Sequence, residues 1–114
     1  MQMHEQYKEF VKLLIARTEE RKLIWKKKLT DWFRTEIYNG YCYTIERNFA
    51  AGYILTIKVF HASGALVLEL MVPSVDREDY NLVLKLFELV YQLVMVVPTI
   101  VEITDSLKKL LNEH

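Results

Sequence analysis

FRTEIYNGYCYTIERNFAAGYILTIKVFHASGALVLELMV, residues 33–72, alternates apolar and polar side chains through four runs separated by Asn39-Gly40, Gly52 and Ser63-Gly64. A period of two marks half-buried strands, because successive side chains of a strand point to opposite faces. Breaks of the Asn-Gly and Ser-Gly type between such runs are turn signals. The stretch therefore predicts a four-stranded antiparallel meander, with helical patterns before and after it. The expected fold class is α+β: an N-terminal helix, the meander, and a long C-terminal helical region broken or kinked at Pro98.

Register follows from keeping apolar residues of neighbouring strands on one face. In the first hairpin a two-residue Asn39-Gly40 loop pairs Tyr38 with Tyr41 and sets Arg34 and Glu36 beside Ile45 and Tyr43, mixing charge into the apolar face. A three-residue loop, Tyr38-Asn39-Gly40, instead pairs Ile37 with Tyr41, Thr35 with Tyr43 and Phe33 with Ile45, with Gly40 at a left-handed bulge position. This bulged loop is the expectation. In the second hairpin, an even-length loop (Ser63-Gly64, or Ala62 to Ala65) brings Tyr53, Leu55, Ile57 and Val59 onto one face with Leu66, Leu68, Leu70 and Val72. Val59 then faces Leu68, Ile57 faces Leu70, and Lys58 falls opposite Glu69, a cross-strand pair worth about 0.2–1 kcal/mol. The expected core face carries Phe33, Ile37, Tyr43, Leu55, Ile57, Leu68 and Leu70. The reverse face carries Cys42, Ile54, Phe60, Val67 and Met71, apolar enough to expect a cover, either a helix of the chain or a second copy.

Upstream, Met3, Tyr7, Phe10, Val11, Leu14, Ile15 and Thr18 recur at helical spacing and predict an amphipathic helix ending near Arg21. Downstream, Asp76 reads as a helix N-cap, with Val75 and Tyr80 placed for a hydrophobic staple. The following helix has two apolar faces: Tyr80, Val83, Leu84, Phe87, Tyr91 and Val94 on one, and Leu82, Leu86, Leu89, Leu93 and Val97 on the other. A surface helix needs only one such face, so the second predicts an interface. The expected interface residues are Leu82, Leu86, Leu89, Leu93 and Val97, with Phe60, Val67 and Met71 of the outer sheet face. Thr99 and Glu102 have capping-box spacing and predict a last helix from about Ile100 to Leu111. The β-branched run 94–103 also admits a buried strand.

A chain of 114 residues, 52% hydrophobic and 26% charged, has the size and composition of one folded domain spanning residues 1–114. Zero formal net charge removes any global argument for nucleic acid or acidic membranes. The lone Cys42 excludes an intramolecular disulfide, and residues 1–12 lack the apolar core of a signal peptide, so a cytoplasmic location is expected. The apolar run Leu82 to Ile103 is interrupted by Lys85, Glu88, Gln92 and Pro98, which argues against a membrane span.

Candidate chemistry is sparse. His4, His61 and His114 are too scattered for metal-ligand spacing, and the three glycines form no phosphate-cradling loop. Cys42 and His61 have opposite strand parity, so they do not form a nucleophile pair, and Cys42 is expected to be a small packed residue. Asp76, Glu78 and Asp79 suit the positive end of a helix dipole without any catalytic role. No catalytic residue, metal or cofactor is expected. The chain reads as a small non-enzymatic protein-interaction module of adaptor, inhibitor or immunity type, with itself as partner in a homodimer and room for a further protein. The alternative is a nucleic-acid-binding module built on the basic-aromatic stretch Arg21, Lys22, Trp25, Lys26, Lys27, Lys28, Trp32 and Arg34. A third class, small-ligand binding between sheet and helix, is left open by the sequence.

Overall fold

A computed structural model describes residues 4–49 and 52–112, with side chains through Lys109. Met3 and His114 lie outside the described residues. The elements are α1 (Glu5–Glu19), β1 (Trp25–Leu29), β2 (Trp32–Thr35), β3 (Tyr41–Asn48), β4 (Ile54–His61), β5 (Leu66–Pro73), α2 (Arg77–Tyr91), a π-helical turn (Gln92–Val96) and α3 (Val97–Asn112). The class is α+β, and the sheet is an antiparallel meander in the order β1-β2-β3-β4-β5.

The sheet has five strands, not four, because Trp25–Leu29 pairs with Trp32–Thr35. The run Lys26-Lys27-Lys28 obscures this strand in the sequence. Lysines on an edge strand are a common device against edge-to-edge pairing, and β1 is such an edge. Asp31, in the tight turn to β2, takes a left-handed φ of 56°, which a short polar side chain tolerates.

Phe33 pairs with Ile45, as the alternation requires. The loop differs from the expectation. Tyr38 and Tyr41 exchange backbone hydrogen bonds of 2.8 and 3.1 Å around a two-residue Asn39-Gly40 turn, both with positive φ. The extra residue is absorbed between Thr35 and Tyr38, where Ile37 turns out to solvent (61% exposed) instead of joining the core. The β4–β5 register is as expected, with Val59 opposite Leu68, Ile57 opposite Leu70 and Lys58 opposite Glu69. Its loop, however, is odd in length: the His61 N–H bonds to the Ala65 carbonyl around Ala62-Ser63-Gly64, and an irregularity between Val59 and Phe60 restores the register. In both hairpins a bulge supplies the residue that loop length alone was expected to supply.

Helices α1 and α2 pack against each other and cover one face of the sheet. The core between them holds Val11, Leu14, Ile15, Trp25, Phe33, Ile45, Leu55, Ile57, Leu70, Val72, Val83, Leu86, Phe87 and Val90. Thr18 is buried with it: its hydroxyl donates to the Leu14 carbonyl at 2.7 Å and accepts from the Trp25 indole N–H at 3.0 Å. Asp76 stands at the N-cap of α2, but Val75 is 85% exposed and makes no staple with Tyr80.

Pro98 does not end the helix, and residues 94–103 are helical rather than a strand. The helix runs unbroken from Arg77 to Lys109, and a π turn just before the proline absorbs it. There the Val97 N–H bonds to the Gln92 carbonyl, five residues back, which widens the turn where the pyrrolidine ring would otherwise meet the preceding carbonyl. Thr99 is not an N-cap, since it lies inside the helix with its hydroxyl on the Met95 carbonyl at 2.7 Å.

Candidate interaction surfaces

Among the described residues no helix covers the outer face of the sheet. Its centre is nevertheless recessed, because short side chains on β3 and β4 sit between long ones. Cys42, Thr44 and Thr56 are buried there, with Thr44 only 4% exposed. Lys28, Trp32, Arg34, Thr44, Phe60 and Gly64 line a trough of about 320 Å³, with the buried Thr44 at its bottom. Lys28 Nζ stands 5.2 Å from the centroid of the Trp32 ring, a cation–π distance. The carboxylates on this face are already engaged: Glu36 by Lys26 at 3.0 Å, and Glu46 and Glu69 by Lys58 at 4.0 and 3.7 Å. Among the described residues, neither Lys28 nor Arg34 has a carboxylate partner.

The basic-aromatic stretch of the sequence is therefore divided by the fold. Lys28, Trp32 and Arg34 come together in the trough, joined by Thr44 and Phe60 from β3 and β4. Trp25 is closed into the core, Lys26 is paired with Glu36, and Lys27 is exposed on β1. Arg21 and Lys22 lie at the end of α1, where Lys22 pairs with Glu20 at 3.6 Å. Phe60 is too distant in sequence to be grouped with this stretch; only the registers of β2, β3 and β4 bring it near.

The second surface is α3. Val97, Ile100, Val101, Ile103 and Leu107 are all exposed, with Ile100 at 56% and Leu107 at 58%. At 3.6 residues per turn they occupy one arc of about 160°, while Glu102, Asp105, Ser106 and Lys109 fill the opposite side. The interface residues expected from the sequence are spread differently. Leu86 is 0% exposed inside the core and is unavailable to a partner, because the stripe of α2 that meets the sheet runs through Val83, Leu86, Phe87 and Val90. Leu82 and Leu89 are partly buried against the same core, and Leu93 borders a hollow with Ile24 and Trp25. Val97 opens the exposed arc, and Val67 and Met71 are exposed on β5. The two-faced pattern read from the sequence stops at Val97, because a proline ordinarily ends a helix, and so leaves Ile100, Val101, Ile103 and Leu107 outside it.

A third cluster surrounds Arg47. Its guanidinium lies 4.7 Å from the Phe87 ring centroid and 5.4 Å from that of Phe49, and it reaches Asp31 at 3.5 Å. Its Nε is buried with no hydrogen-bond partner among the described residues. Glu88, Tyr91 and Gln92 complete a cavity of about 350 Å³ beside it. The neighbouring Tyr80 hydroxyl is held above the ordinary tyrosine pKa by burial, with Arg47 pulling the other way. Tyr43, packed on Phe10, is likewise raised by burial, and by Tyr41, Tyr38 and Cys42 around it.

Cys42 is a buried free thiol, and the His61 ring meets Tyr41 edge-on and Ser63 Oγ at 3.1 Å. Among the described residues no group of three or more His, Cys, Asp or Glu side chains is placed to hold a metal ion. No family model, curated protein or solved structure matches the chain.

Proposed function

We propose that this chain is a non-enzymatic protein-interaction module that self-associates through α3. The observation that carries this reading is the apolar arc Val97, Ile100, Val101, Ile103 and Leu107, whose residues are each roughly half exposed. α3 continues the helix that α2 starts, so its backbone needs no separate nucleus, but its apolar face stands in water, and a partner along that arc would bury it. A second copy fits because it presents the same arc: two α3 helices packed about a two-fold axis would bury both apolar arcs against each other and leave Glu102, Asp105 and Lys109 in solvent.

The helix Arg77–Lys109 also meets the length and composition expected of a membrane span, with a mean hydropathy of 1.8 over 18 residues. Two features favour the second copy over a bilayer. Val83, Leu86, Phe87 and Val90 are committed to the domain core. The free part, α3 itself, extends about 24 Å at 1.5 Å per residue, against about 30 Å of hydrocarbon.

The test is the solution mass by light scattering at micromolar concentration, together with flotation on neutral liposomes. A dimer that becomes a folded monomer in Ile100→Glu/Leu107→Glu is expected. Leu86→Glu, by contrast, should unfold the chain. A strict monomer, or liposome binding lost in the same double variant, would sink the reading.

A further inference from the structure

We infer that the trough on the outer face of the sheet binds single-stranded nucleic acid, with two bases stacked on Trp32 and Phe60 and the intervening backbone on Arg34 and Lys28. The inference rests on the sheet rather than on α3, so it stands independently of self-association.

Charge supports an anion. Glu36 on this face is held by Lys26, and Glu46 and Glu69 by Lys58, while among the described residues Arg34 and Lys28 have no carboxylate partner. Their charge faces a recess whose remaining walls are two aromatic rings, a threonine and Gly64. An indole and a phenyl ring beside two such cations suit a ligand that alternates flat rings with negative charge, as a polynucleotide does.

Register sets the length of the ligand. Trp32 pairs with Glu46 on β3, and Phe60 pairs with Cys42 on the same strand, four residues away. With about 3.4 Å per residue along a strand and about 4.8 Å between strands, Trp32 and Phe60 have Cα positions roughly 16 Å apart. One base cannot stack on both rings. Arg34 lies between them, opposite Thr44. The ligand must therefore carry at least two bases, with phosphate over the centre of the face. Stacking on the rings requires unpaired bases, which selects single strands over duplex. The short Thr44 at the bottom of the trough leaves room for the chain to cross.

The experiment uses the full-length protein and fluorescently labelled 12-nucleotide oligo-uridine, oligo-thymidine and a mixed-sequence duplex, read by anisotropy. Uridine monophosphate serves as competitor. Binding of the single strands is expected, with weaker duplex binding and no competition from the mononucleotide. Two phosphate contacts predict a slope of log affinity against log salt of about −1.4. Arg34→Glu, at an exposed position, should weaken binding about ten-fold or more and flatten that slope, and Phe60→Ala should also cost about ten-fold through the lost stack. Arg21→Gly and Lys22→Ala should leave affinity unchanged, since both residues lie outside the trough. Circular dichroism of each variant separates lost binding from lost fold. No binding of either single strand at low salt would overturn the inference, as would full affinity in folded Arg34→Glu. Equal competition by the mononucleotide would overturn the two-base geometry.

Discussion

Arg21 ends α1 in a left-handed conformation, φ 61°, where glycine is the usual occupant. The geometry is a Schellman motif: the Lys22 N–H bonds to the Arg17 carbonyl and the Arg21 N–H to the Thr18 carbonyl, both at 3.0 Å. The exposed Arg21 side chain has no ion pair among the described residues to offset the cost of this conformation. Arg21→Gly is therefore expected to stabilise the fold by about 0.5–1 kcal/mol, measured by urea denaturation, with an unchanged midpoint counting against the strain account. Tyr43 and Tyr80 supply a pH dependence at the same scale. Burial raises both hydroxyl pKa values, so the folded state holds these protons more tightly than the unfolded state. Their contribution to stability is complete below about pH 10 and is lost as pH rises through the higher folded-state values. Denaturation midpoints measured from pH 8 upward should fall in the alkaline limb, and Tyr43→Phe should make that fall shallower.

Among the elements, the π turn decides how far the helix reaches. Pro98 lacks an N–H and sits one residue beyond the five-residue hydrogen bond from Val97 to Gln92. If the wide turn exists to admit the ring, Pro98→Ala should let an ordinary α-helix form there, with slower amide exchange across residues 99–107. Exchange rates unchanged by the substitution would show that the turn has another cause. Edge strand β1 illustrates the opposite case, in which a pairing forms despite its composition. Three consecutive lysines suit solvent, yet Trp25 is anchored on Thr18 and Lys26 meets Glu36 across the ladder, which together hold the strand on β2. The alternation that marks β3, β4 and β5 needs one polar and one apolar face. β1 shows neither clearly, because after Trp25 all its residues are exposed.

The whole molecule is elongated, with extents of 60 × 33 × 24 Å. Its Cα radius of gyration is 16.6 Å, against about 13 Å for a compact chain of this length. The projecting α3 accounts for the difference, and it gives self-association a thermodynamic signature. If two copies join through α3, dimerisation and folding are linked, and the melting temperature should rise with protein concentration over the micromolar range. In the Ile100→Glu/Leu107→Glu variant that dependence should vanish. A melting temperature independent of concentration in the unaltered chain would leave α3 unpaired.

By itself the amino-acid sequence determined the fold class, the registers Phe33–Ile45, Ile57–Leu70 and Lys58–Glu69, and the start of α2 at Asp76. These follow from local periodicity and capping, which act over a few residues. The tertiary structure alone decided the fifth strand, the two bulges, the burial of Leu86 and the passage of the helix through Pro98. Each depends on which residues a distant element brings into contact. The trough is of the same kind: Lys28, Trp32 and Arg34 are neighbours in sequence, but Thr44 and Phe60 join them only through pairing across three strands. Periodicity records which way a side chain points along its own strand, and only the assembled sheet sets what lies beside it.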